Sequence, residues 1–337
     1  MKSVYMTAPG QVEIRELEMP VRKEGETLLK LLYGGVCGSD LGSYRGASIY
    51  MRYPNVIGHE FSALVVETDD PRLAPGMLVT ANPYFNCGKC YSCRRGFVNA
   101  CIDNRTMGVQ REGAFAEYIT MPNERVYPGE GIDPKELALV EPFCISHHGV
   151  SLAQVQPGER VLVMGGGAIG ILAALTAKLQ GANVWLSDIA PEKLTYVENN
   201  FPVDGVILNT GKEAMDDAVA KYTGGDGFDV TVEAAGVPAS SETCVNAAAS
   251  KGRMVQIGVS KRTLDFNFTT LQRKELTIMG SRGARKEDFM KTMEYVRQGK
   301  APLSRLISRS YKAWDAVAAF ADLDANAGSI VKMELEF

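Results

Sequence analysis

The chain has 337 residues, of which 45% are hydrophobic and 23% are charged, so its length and composition are those of a globular protein of about two domains. Its 36 Lys and Arg residues against 40 Asp and Glu residues give a net charge of −4, which argues against a nucleic-acid or anionic-membrane partner. No apolar run approaches the roughly 20 residues of a membrane span, and the N-terminus lacks the apolar core of a signal peptide. We therefore expect a cytoplasmic protein.

The first 150 residues are predicted to be rich in β-strands. Short alternating runs separated by Gly, Pro and Asp are typical of antiparallel strands joined by turns. The predicted strands are Val12–Leu17, Thr27–Tyr33, Phe61–Glu67, Met77–Thr80 and Ala116–Met121. No helical period is predicted before Pro134–Val140.

The pattern changes near Gln156, where strands begin to alternate with helices. Such alternation predicts a parallel sheet covered on both faces. The predicted strands are Val161–Met164, Val184–Ser187, Gly205–Leu208, Val230–Glu233, Met254–Val259 and Leu276–Met279. The predicted helices are Ala168–Gln180, Pro191–Asn199, Glu213–Tyr222 and Ala239–Ala249.

The tail beyond Gly280 is predicted to contain two helices and a last strand. The helices are Lys286–Gln298 and a segment near Tyr311–Ala321, and the strand is Ser329–Glu334. Composition leaves open whether this tail continues the second domain or returns to the first.

A glycine-rich hexapeptide, Gly165–Gly170, fits the pattern G-x-G-x-x-G between a predicted strand and a predicted helix. In a dinucleotide site Gly165 permits the tight turn, Gly167 lets the backbone approach the pyrophosphate, and Gly170 lets helix and strand pack closely. Asp188 follows Gly170 by 18 residues, where an acidic residue binds the adenosine ribose and disfavours a 2′-phosphate. We predict an NAD site; a strand–helix turn without a ligand is the alternative. The predicted cofactor-binding residues are Gly165, Gly167, Ala168, Ile169, Gly170, Asp188 and Lys193.

A second local motif is a quartet of cysteines. Four of the seven cysteines lie within fifteen residues in the pattern C-x2-C-x2-C-x7-C, at Cys87, Cys90, Cys93 and Cys101. Such clustering in a chain of this size favours a metal over disulfides, and four thiolates complete the tetrahedral coordination of Zn²⁺. We therefore predict a structural zinc site, with a redox pair or an iron–sulfur cluster as alternatives.

The remaining candidate metal ligands lie in three separate fragments. They are Cys37 in Cys-Gly-Ser-Asp, His59 and Glu60 in Gly-His-Glu-Phe, and Glu141 in Glu-Pro-Phe-Cys. One Cys, one His and one or two Glu suffice for a catalytic zinc that keeps a position open. Their spacing along the chain does not by itself show that these fragments form one metal site. A single Cys near a single His is more often a structural residue than a metal ligand.

Together these motifs resemble the zinc-dependent medium-chain dehydrogenases, on the polyol (sorbitol) dehydrogenase side of that superfamily and close to L-gulonate and L-galactonate dehydrogenases. The resemblance covers essentially the whole chain. It rests on Cys37-Gly38-Ser39-Asp40, Gly58-His59-Glu60, the cysteine quartet, Glu141-Pro142 and the turn Gly165–Gly170.

The resemblance implies an α/β protein with a GroES-like, β-rich catalytic domain and a Rossmann domain with a doubly wound parallel sheet. The implied ranges are a catalytic domain at 1–150 with a structural-zinc lobe at 82–105, an NAD domain at 151–284, and a return to the catalytic domain at 285–337. The active site is then expected between the domains. A homodimer or homotetramer is expected, and the apolar run Ser250–Val259 is a candidate for extending a sheet across subunits.

The resemblance also implies roles at the catalytic zinc. Cys37, His59 and Glu60 match the family's zinc positions, and Glu141 matches the fourth position, where polyol dehydrogenases have Glu. Whether both glutamates contact the metal stays open. Ser39 matches the hydroxyl that contacts the reacting alcohol.

One departure concerns the proton relay. The family often has a His five residues after the first Cys, where this chain has Gly42. The proton would then leave through water, Ser43 or Tyr44. Adjacent His147 and His148 are more simply explained as residues at the start of a helix than as catalytic groups.

The substrate is expected to be a polyhydroxylated molecule of five or six carbons. Arg282 matches a position where related polyol enzymes have an Arg near the substrate, and a guanidinium can hold a carboxylate through two parallel hydrogen bonds. A sugar acid is therefore favoured over a neutral polyol, although Arg282 could equally bind hydroxyls. A threonine- or butanediol-type dehydrogenase and a catalytically silent NAD-binding protein are the alternative functions.

Overall fold

The protein's structure, a computed structural model, describes residues 1–260, 262–264 and 267–337. It divides into two compact units, one formed by Met1–Glu141 with Arg285–Phe337 and the other by Pro142–Ala284. The first division lies at 141 instead of the expected 150. The reason is the helix Val140–Leu152, whose Ser146 hydroxyl donates to the carbonyl of Ile169 within the second unit.

The first unit is built mainly of antiparallel strands. Their bounds are β1 Lys2–Ala8, β2 Gln11–Glu16, β3 Glu26–Val36, β4 Asn55–Val56, β5 Glu60–Glu67, β6 Leu78–Ala81, β7 Tyr84–Phe85, β8 Arg105–Thr106, β9 Tyr118–Pro122, β10 Val126–Pro128, β17 Ile307–Lys312 and β18 Lys332–Glu336. The largest sheet has the order β10-β6-β5-β3-β18-β17, with β9 also pairing with β3. The last strand of the chain therefore lies directly beside β3.

Strand β3 shows why this segment forms a sheet. Thr27, Leu29 and Leu31 are buried while Lys30 is exposed, which is the two-residue period of a strand with one face on a core. Leu29 and Leu31 pack in a cluster with Phe61 of β5.

The first unit also contains helices between and after its strands. They are α1 Gly38–Tyr44, α2 Tyr91–Arg94, α3 Pro134–Ala138, α10 Lys286–Arg297 and α11 Ala316–Ala325, with α4 Val140–Leu152 beginning at its boundary. The prediction of no helix before Pro134 is wrong at α1 and α2, which are too short to show a helical period. The helix predicted from Tyr311 is also wrong at its start, because Tyr311 lies in β17 and pairs with Leu335 of β18.

The second unit alternates strands with helices. The strands are β11 Arg160–Met164, β12 Asn183–Asp188, β13 Gly205–Leu208, β14 Phe228–Glu233, β15 Ala248–Gln256 and β16 Thr277–Gly280. The helices are α5 Ala168–Leu179, α6 Pro191–Asn200, α7 Lys212–Thr223, α8 Pro238–Ala247 and α9 Phe268–Lys274. Leu162, Phe228 and Met254 from the strands share a core cluster with Met215 and Cys244 from the helices.

The strands of the second unit form a parallel sheet in the order β13-β12-β11-β14-β15-β16. The order reverses between β11 and β14, and ligands of such sheets bind at the carboxyl ends of the strands at that point. Strand β15 pairs on one side with β14 and on the other with β16. Residues 253–256 of the run Ser250–Val259 are therefore internal to the sheet, and this paired part of the run has no open edge with which to extend a sheet across subunits.

Within the part of the chain that the structure describes, none of the helices combines the length and the apolar character that crossing a membrane requires.

Candidate active site and cofactor site

Cys37 lies at the N-cap of α1, and the sequence Cys-Gly-Ser-Asp folds there as a capping box. The backbone N–H of Ser39 donates to Cys37 Sγ over 3.5 Å, and the backbone N–H of Cys37 donates to Asp40 Oδ2 over 2.9 Å. The two bonds satisfy N–H groups that a helix leaves open at its start. They also fix the Cys37 side chain, while Ser39 in the first turn stays exposed.

Glu60 begins β5, and His59 lies between it and Gly58. Gly58 has a φ of +90°, and a Cβ atom there would collide with the ring of Phe115. Only glycine combines that backbone conformation with such a close approach. The chain is thereby turned so that both following side chains are buried, with exposures of 5% for His59 and 0% for Glu60.

The structure brings Cys37, His59 and Glu60 together, with one ligand atom of each lying within 4.8 Å of the others. His59 Nδ1 is buried and has no hydrogen-bond partner. Burial lowers the pKa of His59, but Cys37, Asp40 and Glu141 more than offset this and hold it well above its usual value. A thiol, an imidazole and a carboxylate within this distance of one another form a donor set that zinc prefers. These residues therefore fit a metal ion.

Lys332 is the partner of Glu60, and the sequence analysis missed it. Its ammonium Nζ lies 2.8 Å from both carboxylate oxygens of Glu60 and 3.3 Å from the carbonyl of Val36. The side chains of Lys332 and Glu60 are 4% and 0% exposed. This is a fully desolvated ion pair beside the metal-ligand group, and it neutralises one of the carboxylates there.

Gly35 makes room for that ion pair. Strand β3 lies between β5 and β18, and Gly35 pairs with Glu60 on one side and with Glu334 on the other. A Cβ atom at position 35 would overlap Glu60 Oε2 and crowd the side chain of Leu139. The missing side chain lets the Glu60 carboxylate occupy the face of β3 that Lys332 reaches.

Glu141 lies in the first turn of α4 and is 2% exposed. It is outside the group of Cys37, His59 and Glu60, and it accepts a hydrogen bond from the hydroxyl of Tyr84. Burial raises the pKa of Glu141 to about 7, and Glu60 contributes in the same direction. Tyr84 is a second residue that the sequence analysis missed.

The two side chains suggested as proton exits have other contacts. The Ser43 hydroxyl donates to the carbonyl of Ser39 over 2.9 Å, and the ring of Tyr44 packs against Phe320 with centroids 5.6 Å apart. A Cβ atom at Gly42 would have no atom within 4 Å. The volume beside Gly42, at the position where the family often has a histidine, is therefore open.

The four cysteines of the quartet converge in the loop around α2. Their sulfur atoms lie within 4.8 Å of one another, and Cys90 Sγ and Cys101 Sγ are 3.9 Å apart. Tetrahedral zinc with bonds of about 2.3 Å needs sulfurs separated by about 3.8 Å. Backbone N–H groups of Cys93 and Ile102 lower the pKa of Cys90 to about 6, whereas burial raises that of Cys101 to about 11. The geometry fits a closed, structural metal site.

The glycine turn of the second unit has the features of a dinucleotide cradle. Gly165 has a φ of +115°, a Cβ atom at Gly167 would have no atom within 4 Å, and a Cβ atom at Gly170 would overlap the carbonyl oxygen of Gly165. The turn leads directly into α5, whose residues Ala168 and Ile169 form its first turn. The open N-terminus of such a helix attracts phosphate, so the turn fits a dinucleotide.

Asp188 ends β12 beside this turn. Its Oδ2 accepts from the backbone N–H of Gly166 over 2.5 Å, and its Oδ1 accepts from Ala190 over 2.8 Å. Lys193 lies on the same side, since a Cβ atom at Gly166 would come within 3.3 Å of Lys193 Cβ. Both predicted cofactor residues therefore adjoin the glycine turn.

The remaining candidates lie elsewhere in the second unit. Arg282 follows β16 and is exposed. His147 and His148 lie in the interior of α4, and not at the start of a helix as expected.

The missed residues have physical reasons for being missed. Lys332 lies 272 residues from Glu60, in a segment whose sequence is that of an ordinary alternating strand. Tyr84 lies in a two-residue strand, which is too short for any periodicity. Asp40 carried a usable signal, because an acidic residue three positions after a capping residue is the mark of a capping box.

The fold and both sites define a nucleotide-binding oxidoreductase with metal-ligand groups. The chain belongs to the zinc-type alcohol dehydrogenase family: residues 23–131 match the alcohol dehydrogenase GroES-like domain, and residues 168–298 match the zinc-binding dehydrogenase domain. It is therefore an alcohol, polyol or sugar-acid dehydrogenase of the zinc type.

Individual relatives cover almost the whole chain. The chain is 33% identical to L-galactonate-5-dehydrogenase of Escherichia coli K12 over 92% of each chain. It is 32% identical to L-threonine 3-dehydrogenase of Pyrococcus horikoshii, over 94% of this chain and 92% of that protein. It is also similar to the structure of a short chain alcohol dehydrogenase of E. coli CFT073 complexed with NADH, with 27% identity, a TM-score of 0.92 and coverage of 100% and 99%.

Proposed function

We propose that this protein oxidises a secondary alcohol of a sugar acid, such as L-gulonate or L-galactonate, with zinc and NAD. The observation that carries the proposal is the buried group of Cys37, His59 and Glu60 in a chain whose similarity to an L-galactonate dehydrogenase spans 92% of both proteins. A polyol is the nearest alternative substrate within this class.

The residues of the first unit have distinct roles in this proposal. Cys37 and His59 would hold the catalytic zinc, with Glu60 and Glu141 as the carboxylates beside it. When bound, zinc supplies Lewis acidity to a hydroxyl oxygen and NAD accepts the hydride. Ser39, exposed in the first turn of α1, takes the hydroxyl proton.

From Ser39 the proton leaves by water. The hydroxyl of Ser43 donates to a backbone carbonyl, and Tyr44 packs in an aromatic contact. The open volume beside Gly42 offers water the route that a histidine would otherwise fill.

The second unit binds NAD in preference to NADP. Support comes from Asp188, whose carboxylate adjoins the glycine turn and disfavours a 2′-phosphate. The N-terminus of α5 would receive the pyrophosphate, and Lys193, beside the glycine turn, would provide a cation.

The substrate assignment depends on a carboxylate partner for Arg282. An exposed guanidinium can bind a carboxylate through two parallel hydrogen bonds, which lysine cannot reproduce. Threonine also carries a carboxylate, and the similarity to an L-threonine 3-dehydrogenase makes that amino acid the second candidate substrate.

The test is NADH formation over a panel of aldonates, hexitols, pentitols, L-threonine and butanediol, before and after zinc removal. We expect zinc-dependent turnover of one aldonate above all other compounds. Arg282→Lys should then reduce aldonate turnover more than polyol turnover, while Arg273→Lys, at another exposed arginine of the second unit, leaves both unchanged. Equal losses on both substrates would remove the carboxylate argument. Turnover of L-threonine alone would favour the second candidate, and NAD binding without any turnover would favour a silent binding protein.

A homo-oligomer is also part of the proposal. Strand β16 is the last strand of the parallel sheet among the described residues, and Ile278 on it is 41% exposed. Pairing of β16 with its copy would cover this residue and continue the sheet. Light scattering of the purified protein measures the subunit number directly.

A further inference from the structure

A second buried carboxylate, Glu233, lies at the carboxyl edge of the parallel sheet. It is the last residue of β14 and is 0% exposed. Strand β14 is the neighbour of β11, so Glu233 lies on the opposite side of the glycine turn from Asp188. Neither the proposed metal chemistry nor the proposed ribose contact uses it.

Among the described residues, every hydrogen bond that Glu233 accepts comes from a neutral group. Its Oε1 accepts from the backbone N–H groups of Ala235 and Gly236, over 2.9 and 2.8 Å, and from the Ser240 hydroxyl over 2.5 Å. Its Oε2 accepts from Gln256 Nε2 over 2.5 Å. No Lys, Arg or His forms an ion pair with it among the described residues. Its charge is therefore solvated by dipoles and is not cancelled, in contrast to the Glu60 charge.

The loop that Glu233 holds adjoins the cradle for the cofactor. Ala234 N–H donates to the carbonyl of Met164 over 2.9 Å, and a Cβ atom at Gly165 would lie 3.0 Å from the backbone nitrogen of Ala235. A dinucleotide bound at this sheet has its pyrophosphate at the glycine turn and its adenosine on the β12 side, where the acidic residue lies. Its nicotinamide half would therefore extend toward the ends of β14 and β15, where Glu233 and Gln256 lie.

The two redox forms of NAD differ in charge at that half. The nicotinamide ring carries one positive charge when oxidised and none when reduced. A buried negative charge in a water-poor environment stabilises the positively charged ring through space. The rest of the cofactor carries the same charge in both forms, so the field of this carboxylate favours neither form there.

We propose that Glu233 sets the redox preference of the cofactor site: its uncancelled charge strengthens binding of NAD⁺ relative to NADH. This inference rests on the proposed function, because it requires that the second unit bind NAD. Glu233 is a positioning residue for the loop as well, but a role limited to positioning would affect both forms of the cofactor alike.

The test is the ratio of the dissociation constants of NAD⁺ and NADH, measured by NADH fluorescence and by displacement of NADH with NAD⁺. Glu233→Gln should raise the ratio Kd(NAD⁺)/Kd(NADH) about tenfold, as expected for a unit charge removed at roughly 10 Å with an effective dielectric constant of about 20. The matched control is Asp188→Asn, which removes a charge on the adenosine side and should weaken both forms by the same factor.

Two outcomes would overturn the inference. One is an equal change of both dissociation constants in Glu233→Gln, which would assign Glu233 to loop structure alone. The other is a change of the ratio in Asp188→Asn as large as that in Glu233→Gln. If the wild-type protein binds neither form, the proposed function itself fails.

A second variant covers the case that Glu233→Gln does not fold. In Glu233→Gln, the amide of the new side chain would face the side-chain amide of Gln256. Two N–H donors that point at each other are unfavourable when they are buried. The double variant E233Q/Q256M removes both the charge and the opposed donor. It should show the same rise of the ratio, and an unchanged ratio would refute the proposal.

Discussion

The ion pair between Lys332 and Glu60 allows a quantitative prediction. We expect Lys332→Met to lower the free energy of unfolding of the first unit by about 3–5 kcal/mol, the usual cost of leaving one partner of a buried pair uncompensated. The geometry favours the upper part of that range, because both carboxylate oxygens lie 2.8 Å from the ammonium. At an effective dielectric constant of about 20, a contact of that length corresponds to a gross attraction of about 6 kcal/mol.

The measurement is urea unfolding followed by tryptophan fluorescence. Trp314 packs against the core of the first unit and Trp185 lies in the second, so a Trp185→Phe background lets Trp314 report the first unit alone. The matched control is Lys312→Met. Lys312 also forms an ion pair, with Glu336, but its side chain is 64% exposed and that of Glu336 is 42% exposed. A pair so exposed contributes less than about 1 kcal/mol.

A second substitution separates charge from packing. Adding Glu60→Gln to Lys332→Met removes the uncompensated carboxylate, so the double variant should recover at least about half of the loss. The reasoning is refuted if Lys332→Met costs no more than Lys312→Met. It is also refuted if Glu60→Gln adds its own loss without any recovery.

Three further predictions concern the metals and the cofactor. Cys93→Ser should reduce the zinc content, measured by mass spectrometry, from two ions per chain to one. Cys244→Ser, at a buried cysteine outside the quartet, should retain both ions. If the two variants contain the same amount of zinc, the structural site is refuted. In metal-free protein, Glu141 has a pKa of about 7 when folded against an ordinary value of 4.5, so the unfolded chain loses this proton first and stability should fall by up to about 3 kcal/mol as pH rises from 4.5 to 7. Glu141→Gln should flatten that part of the stability curve, and an identical slope would contradict the shift. Asp188→Ala should shift the NAD-over-NADP preference toward NADP by at least about tenfold in steady-state assays, and an unchanged ratio would argue against its proposed contact.

The strands and helices of the second unit were largely predictable. The strand Gly205–Leu208 has the predicted bounds, and the helix Ala168–Leu179 differs from its prediction by one residue. Buried parallel strands are continuous apolar runs, and the helices between them have apolar faces, with a proline in the first turn of α6 and of α8, so each element carries its own signal.

The C-terminal tail was less predictable. The segment at Tyr311 was expected to be helical but pairs in parallel with the last strand. Its local sequence does not decide between the two structures, since the strand is stabilised mainly by its neighbours in the sheet. The short helix at Gly38–Tyr44 was missed for a related reason, because seven residues with a capping box show too little periodicity.

The sequence by itself determined the features whose residues are close along the chain. The glycine turn spans six residues and the cysteine quartet fifteen, so short loops bring their groups together whatever the rest of the fold does. The bond of the Cys37 N–H to Asp40 is local in the same sense.

Only the tertiary structure decided the environment of Glu60. Pairing of β3 with β5 and with the last strand brings Lys332 to a carboxylate that lies 272 residues away, and Gly35 leaves the space in which they meet. A buried charge is compensated by whichever group the sheet order places beside it. That order depends on the packing of the whole unit, and no local pattern encodes it.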